Sequence, residues 1–307
     1  MLVRPAASRS RWKRLKKNGG YYLMLLPALS LLIAFKYLPM WGIQIAFRDF
    51  NIFEGISSGK WIGFAQFERL FQSEEFYQIL ANTCIISVYK ILFLFPLGVF
   101  IALVLNEIQS SFLKRFTQTL VYIPHFLSWV VIFGLFTSLL SSNGLLNRLA
   151  VALGGEAVSY MVSPAWFRTI LVVTAGWKEC GWNAIVFIAA IAGIEQEMYE
   201  AARIDGAGRL RQIWSITIPS ILPTILLMLI LRIGSLLTAG TEQILTMYSP
   251  VVYDVADVIG TYIYRVGLGK MEYSFTTAVG LFESAVGFGL VVAGNYLSRK
   301  FADSSIW

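Results

Sequence analysis

The chain is poor in the residues that build metal sites, disulfides and polar catalytic centres. Of 307 residues, 14% are charged, one is histidine and two are cysteine, while 57% are hydrophobic. The lone histidine, His125, has no Cys, Asp or Glu companions at ligand spacing, which excludes a histidine-based metal centre. Cys84 and Cys180 both sit inside apolar runs without metal-type spacing, so they read as small packing residues and leave the redox compartment open. So little charge excludes an ordinary soluble domain, in which about a quarter of residues are charged. No GxxxxGK[ST] loop is present, so the chain has no phosphate cradle for hydrolysing a nucleotide. No Ser/His/Asp or paired-carboxylate grouping converges in one apolar run, which argues against a membrane-embedded hydrolase. Internal repeats, low-complexity linkers and a separate soluble domain are also missing.

What the chain does have is long apolar runs, with a mean hydropathy of +0.65. Six are long enough to cross a bilayer as helices, which takes about twenty residues. They lie near Tyr21 to Tyr37, Thr83 to Leu105, Thr119 to Leu140, Phe167 to Gly193, Ser220 to Ala239 and Phe275 to Leu297. The expected fold is therefore an all-α integral membrane protein with six transmembrane helices: one membrane domain over 21–307 behind a basic leader over 1–20. The first run is too long for a cleaved signal, and Leu38-Pro39-Met40-Trp41 lacks a small-residue cleavage pattern.

The formal net charge is +7. Most of it is accounted for by Arg4, Arg9, Arg11, Lys13, Arg14, Lys16 and Lys17, ahead of the first run, where positive charge sets membrane orientation rather than nucleic-acid binding. With the leader in the cytoplasm, Lys114, Arg115, Arg203, Arg209, Arg211, Arg299 and Lys300 all fall inside. The longer outside segments hold fewer basic residues: Arg48, Lys60, Arg69, Arg148, Arg265 and Lys270. The bias predicts a multi-pass protein with both termini inside.

Between the fourth and fifth runs lies a polar stretch, Glu200-Ala201-Ala202-Arg203-Ile204-Asp205-Gly206-Ala207-Gly208 and onward to Ile216-Thr217-Ile218-Pro219. Helix formers up to Ile204, two glycines, then Leu210, Ile213 and Trp214 at helical spacing predict a helix, a turn and a second helix. Pro219 falls where a new apolar helix begins, at a first-turn position that needs no N–H. This pattern resembles the coupling motif of permease subunits of binding-protein-dependent ABC importers, and Asp205-Gly206-Ala207 gives it the form typical of the sugar-importer branch. Ile218 stands where Leu is commoner. Further stretches, Phe35 to Met40, Asn51 to Phe53, Tyr122 to Trp129 and Val252 to Ile259, look similar to permeases that import complex oligosaccharides derived from plant or algal polysaccharides.

The resemblance implies a cytoplasmic coupling segment over 195–219 in which Glu200, Ala201, Ala202, Asp205, Gly206, Ala207 and Pro219 serve docking to an ATPase. It also implies a second homologous permease, a dimeric ATPase that binds ATP and Mg, and an extracytoplasmic solute-binding protein that delivers an oligosaccharide, all at a bacterial cytoplasmic (inner) membrane. The chain itself would bind no cofactor and catalyse no reaction. The rival reading is an ion-coupled secondary transporter, which predicts inverted repeats and several midplane carboxylates. Here no repeat is visible and Glu179 is the sole strong midplane acid.

Charged groups deep in a span cost roughly 2.5 to 3.5 kcal/mol on insertion scales, so they face a cavity or a partner. The candidates are Lys178 and Glu179 in the fourth run, Arg232 in the fifth and Glu283 in the sixth; Arg232 and Glu283 share a depth and either pair or line a path. Lys90 is expected to snorkel toward the outer interface. Trp177, Trp182 and Asn183 offer the aromatic and planar polar surfaces that sugars need, with Tyr89 and Trp129 as weaker additions, although a tryptophan inside a helix also serves packing. An acidic cargo would find its counter-charge in Lys178 or Arg232. Phe64, Phe67 and Phe71 share one face of an expected interfacial helix. The polar segment from Thr241 to Asp257 either meets a partner or cargo or caps a turn.

Overall fold

The structure is a computed structural model that describes residues 17–56 and 59–302; the leader charges before Lys17 lie outside the described residues. Apart from a single β-bridge between Arg48 and Trp61, the regular structure among these residues is helical. In chain order the helices are α1 (Gly19–Leu32), α2 (Ala65–Gln72), α3 (Glu74–Glu107), α4 (Ser111–Tyr122), α5 (Trp129–Leu140), α6 (Leu145–Ala152) and α7 (Pro164–Ala192). They continue as α8 (Gln196–Ile204), α9 (Arg209–Gln212), α10 (Ile218–Gly234), α11 (Thr241–Met247), α12 (Tyr253–Ala256), α13 (Ile259–Tyr262) and α14 (Tyr273–Ala302).

Five helical stretches are long and apolar enough to cross a membrane: Gly19–Phe47, Glu74–Glu107, Trp129–Ala152, Arg209–Gly234 and Tyr273–Lys300. The 29-residue α7 is long enough too, but Lys178, Glu179 and Asn183 interrupt its apolar surface. It also buries more residues than any other described helix. Phe167, Leu171, Ala175, Gly181, Ala184 and Phe187 are among its buried residues, and α3 lies against it along its length. At the other extreme, α1 buries nothing, and its leucines and tyrosines face outward.

Small residues let the backbones approach where no water drives helices together. A Cβ on Gly98 of α3 would stand 3.1 Å from Asn183 Cβ on α7. Where α10 crosses α14, a Cβ on Gly287 would stand 3.0 Å from the Gly234 carbonyl. At Gly181 a Cβ would meet the Val121 carbonyl oxygen at 2.2 Å, so α4 and α7 touch there through bare backbone.

The third expected crossing does not run from Thr119 to Leu140. The chain leaves α4 through a tight turn at Ile123–Phe126, extends at Leu127 and restarts when the Ser128 hydroxyl accepts the Val131 N–H at 3.3 Å. Pro124 has no N–H to continue the ladder, and Ser128 offers a competing cap. The crossing-length stretch therefore begins at Trp129 and continues to Ala152.

The segment between α10 and α14 folds back into the bundle. Ile244, Val252, Val258 and Ile259 are buried in it, and Gln243, Asp257 and Thr261 are its buried polar residues. At this end of the molecule, Arg265 meets Asp257 at 2.6 Å and Glu75 at 2.8 Å and lies over the rings of Tyr253 and Tyr262. α2 is packed rather than merely interfacial: Leu70 is fully buried, Phe71 meets Phe76 and Phe282, and Phe64 and Phe67 cluster with Phe47.

Candidate functional site: a charged cavity and a projecting knuckle

A cavity of about 550 Å³ opens between α3, α7 and the end of α10. Of the residues singled out from sequence, it gathers Trp129, Glu179, Trp182, Asn183 and Arg232. A second cavity of about 350 Å³ shares Trp182, Asn183, Arg232 and Ser235 and continues along the more apolar face of Phe95, Val186, Phe187 and Met228. Glu179, Trp182, Asn183 and Val186 are spaced to fall on one face of α7, which is why a single helix can line both.

Two expectations about charge are corrected, and of the two readings of Arg232 and Glu283 the pairing one is not met. Lys178 does not face the cavity. Its ammonium donates to the carbonyls of His125 at 2.5 Å and Leu127 at 2.7 Å, two acceptors that the break before α5 leaves without a helical partner. Lys90 does not snorkel outward. It lines the cavity and donates to Ala239 O at 2.8 Å and Gln243 Oε1 at 2.6 Å. Arg232 and Glu283 are not joined: the ion pairs among the described residues are Arg69–Glu272, Arg265–Glu75 and Arg265–Asp257, and Glu179 meets the His125 ring. Arg232 lines both cavities, whereas Glu283 lines neither.

Trp177 and Tyr89 also stand outside the two cavities, and Trp177 packs edge-on against Phe136 with ring centres 5.7 Å apart. His125, read from sequence as unable to build a metal site, is part of the wall. Its ring stacks on Trp182 at 4.2 Å with planes 3° apart, and its Nδ1 lies 3.2 Å from Glu179 Oε2. That pairing orients the indole, whose surface remains 46% exposed. Sequence reasoning considered His125, Lys90 and the segment holding Gln243 separately and did not bring them together in one wall. The spacing of Ser87, Lys90, Ile91 and Leu94 would have put Lys90 on the face turned to α7.

The second feature is the knuckle between α8 and α10. α8 ends at Ile204, Gly206 takes φ +78°, and the turn closes with Gly206 N–H to Arg203 O at 3.0 Å and Ala207 N–H to Ala202 O at 2.8 Å. A positive φ needs glycine because a Cβ would clash with the chain's own backbone. The Gln212 side chain donates to Ala207 O at 2.7 Å, and Tyr199 OH lies 2.9 Å from Thr217 Oγ1, so both arms of the knuckle are stapled. Glu200, Ala201, Asp205 and Pro219 are exposed, and Ala202 and Ala207 are half-buried. Ile204, Leu210 and Trp214 are 87%, 74% and 70% exposed. After α9 the helix widens at Ile213–Thr217, where Ile218 N–H bonds Ile213 O, and then runs on as α10. Pro219 thus follows a wide turn that absorbs its missing donor.

Residues 95–303 match the model of the family described as the binding-protein-dependent transport system inner membrane component. The chain belongs to this family. It is a permease component of a transport system, not an enzyme, and a multi-pass protein of the inner membrane. Among its relatives, Protein LplB of Bacillus subtilis (strain 168) is 42% identical over 95% of this chain and 92% of its own. The polygalacturonan/rhamnogalacturonan transport system permease protein YteP of the same organism is also 42% identical, over 93% and 89%. The crystal structure of a bacterial alginate ABC transporter, in complex with an alginate pentasaccharide-bound periplasmic protein, contains a chain 39% identical to this one. That chain superposes with a TM-score of 0.88 over 96% of this chain and 99% of its own.

Proposed function

We propose that this permease is one of two similar subunits forming the pore of an ABC importer, and that the pore passes an oligosaccharide delivered by an extracytoplasmic binding protein. The observation that carries this reading is the knuckle: a stapled turn of the Glu-Ala-Ala type, projecting its charged and apolar residues from the bundle and continuous with the helix that lines the cavity. ATP and Mg belong to a dimeric ATPase that receives Glu200, Ala201, Ala202, Asp205, Gly206, Ala207 and Pro219 from the cytoplasmic side. Movement of that segment, 195–219, turns the helix from Arg209 to Gly234 and opens the cavity to alternate sides.

In this reading α7 is the fourth of six crossings, added to the five long apolar stretches. Its polar residues are tolerated because they face the cavity or cap broken helices. Residues 1–20 form a basic cytoplasmic leader, 21–307 form one membrane domain, and both termini are cytoplasmic. The likeness to permeases named for polygalacturonan and rhamnogalacturonan supports sugar cargo, and the Trp182–His125 stack supplies an aromatic platform for a pyranose ring.

The test is uptake of labelled oligosaccharide into proteoliposomes holding both permeases and the ATPase, with binding protein outside and ATP inside. Gly206→Val should leave the complex in the membrane yet abolish uptake, and undiminished uptake sinks the docking role. A single cysteine at position 206 should react with membrane-impermeant maleimide only from the ATP-containing side.

A further inference from the structure

Resting on the oligosaccharide reading above, we propose that the cavity carries a carboxylate subsite, built from Arg232 and Lys90, that makes this permease selective for acidic sugars.

Two cations, Lys90 and Arg232, and two carboxylates, Glu179 and Glu242, line the cavity, and among the described residues no ion pair joins either cation to either carboxylate. Glu179 is engaged by His125 at 3.2 Å, and Glu242, exposed in the first turn of α11, makes no ion pair within 4.0 Å. Arg232 is exposed to both cavities, and its guanidinium, which carries five donors, has no hydrogen-bond or ion-pair partner among the described residues. A fixed cation at this depth costs several kcal/mol unless something neutralises it. Neither carboxylate lining the cavity, Glu179 on α7 or Glu242 on α11, is ion-paired with it, which leaves the cargo to supply the neutralising group.

Lys90 is held as a positioned donor rather than a loose one. Gln243 is fully buried, and its amide nitrogen donates to Leu171 O at 2.8 Å and Thr174 Oγ1 at 2.7 Å. Its oxygen is thereby fixed toward the Lys90 ammonium at 2.6 Å. With Ala239 O at 2.8 Å as the second acceptor, two of the three ammonium protons are used by neutral groups. The third remains for a ligand. Two cations fixed on facing helices repel each other in a low dielectric, and an anion between them relieves that repulsion.

The remaining wall suits a sugar acid. Trp182, stiffened by the stacked His125, offers an aromatic face, and Asn183, the next residue, offers paired donor and acceptor capacity for hydroxyls. The lysine expected from sequence to neutralise an acidic cargo, Lys178, is spent on backbone carbonyls. Lys90 and Arg232 take that role.

The experiment uses the complete reconstituted importer and a panel of galacturonate, glucuronate and mannuronate trisaccharides beside their carboxyl-reduced, neutral counterparts. Wild-type protein should carry the acidic member of at least one pair faster than the neutral one. In Arg232→Gln the ratio of acidic to neutral uptake should fall on the order of tenfold, the scale of one lost charge-assisted hydrogen bond. Arg232→Lys should recover most of it, and Lys90→Met should lower the same ratio. An unchanged ratio in both Arg232→Gln and Lys90→Met, or a wild-type preference for neutral sugars, overturns the subsite. Wild-type failure on every panel member overturns the oligosaccharide reading itself, which separates the two failures.

Discussion

At the scale of single residues, the charges buried in this permease divide by what they touch. Lys178, Lys90 and Arg168 each donate to main-chain carbonyls that a broken or ended helix leaves free: His125 and Leu127, Ala239, and Val255. In lipid such carbonyls have no water to turn to, so a lysine at a helix break stabilises the break. Sequence named Lys178 as a mid-membrane charge but could not say which way it pointed, because direction depends on where α4 stops against α7. Lys178→Met should therefore lower thermal stability in detergent by about 2 kcal/mol, through two unpartnered carbonyls, and affect acidic and neutral cargo alike. A selective loss of acidic cargo would return Lys178 to the cavity. Asp257 makes a comparable case. It accepts from Thr261 Oγ1 and Arg265 at 2.6 Å each while nearly fully buried, whereas Glu75, the other Arg265 partner, is half exposed. Asp257→Ala should cost on the order of 2 to 3 kcal/mol and Glu75→Ala under about 1, read as ordered shifts in melting temperature.

At the scale of elements, the knuckle and the glycine contacts carry the mechanics. Gly206 has open space around it, so a substitution there is limited by its φ of +78° and not by a neighbour. Asn tolerates that region far better than a β-branched residue does. Gly206→Asn should consequently keep most uptake while Gly206→Val loses it, and equal behaviour of the two would show that the turn does not govern coupling. Gly181 and Gly234 would each place a Cβ 2.2 Å from a neighbour, yet the neighbours differ: the Val121 backbone carbonyl in one case and a Val291 methyl in the other. A methyl can shift where a carbonyl fixed in a helix cannot. Gly181→Ala should destabilise the purified protein more than Gly234→Ala, by at least about 1 kcal/mol. The knuckle was legible in sequence because turn glycines, helix formers and the terminal proline are local signals. The break at Pro124 was written there too, but the apolar run around it masked it.

At the scale of the whole molecule, α1 has no buried residue and the cavity is walled mainly by α3, α7 and the segment 235–243 that follows α10, an arrangement that fits the two-subunit reading. The purified chain alone, reconstituted with ATP, should carry no sugar, and uptake should appear only when a second permease, an ATPase and a binding protein are added. Uptake by the single chain would end the two-subunit reading. The sequence by itself determined the membrane class, the helical runs and the knuckle, since hydropathy, turn residues and capping act over a few neighbouring positions. Only the tertiary structure decided which deep charges meet the cavity. Arg232 and Glu283 match in depth yet face different surroundings, and Lys90 and Lys178 match in chemistry yet serve different groups. Depth follows from counting residues along a helix. Facing is set by how each helix is rotated against its neighbours, through glycine contacts and freed carbonyls far apart in the chain.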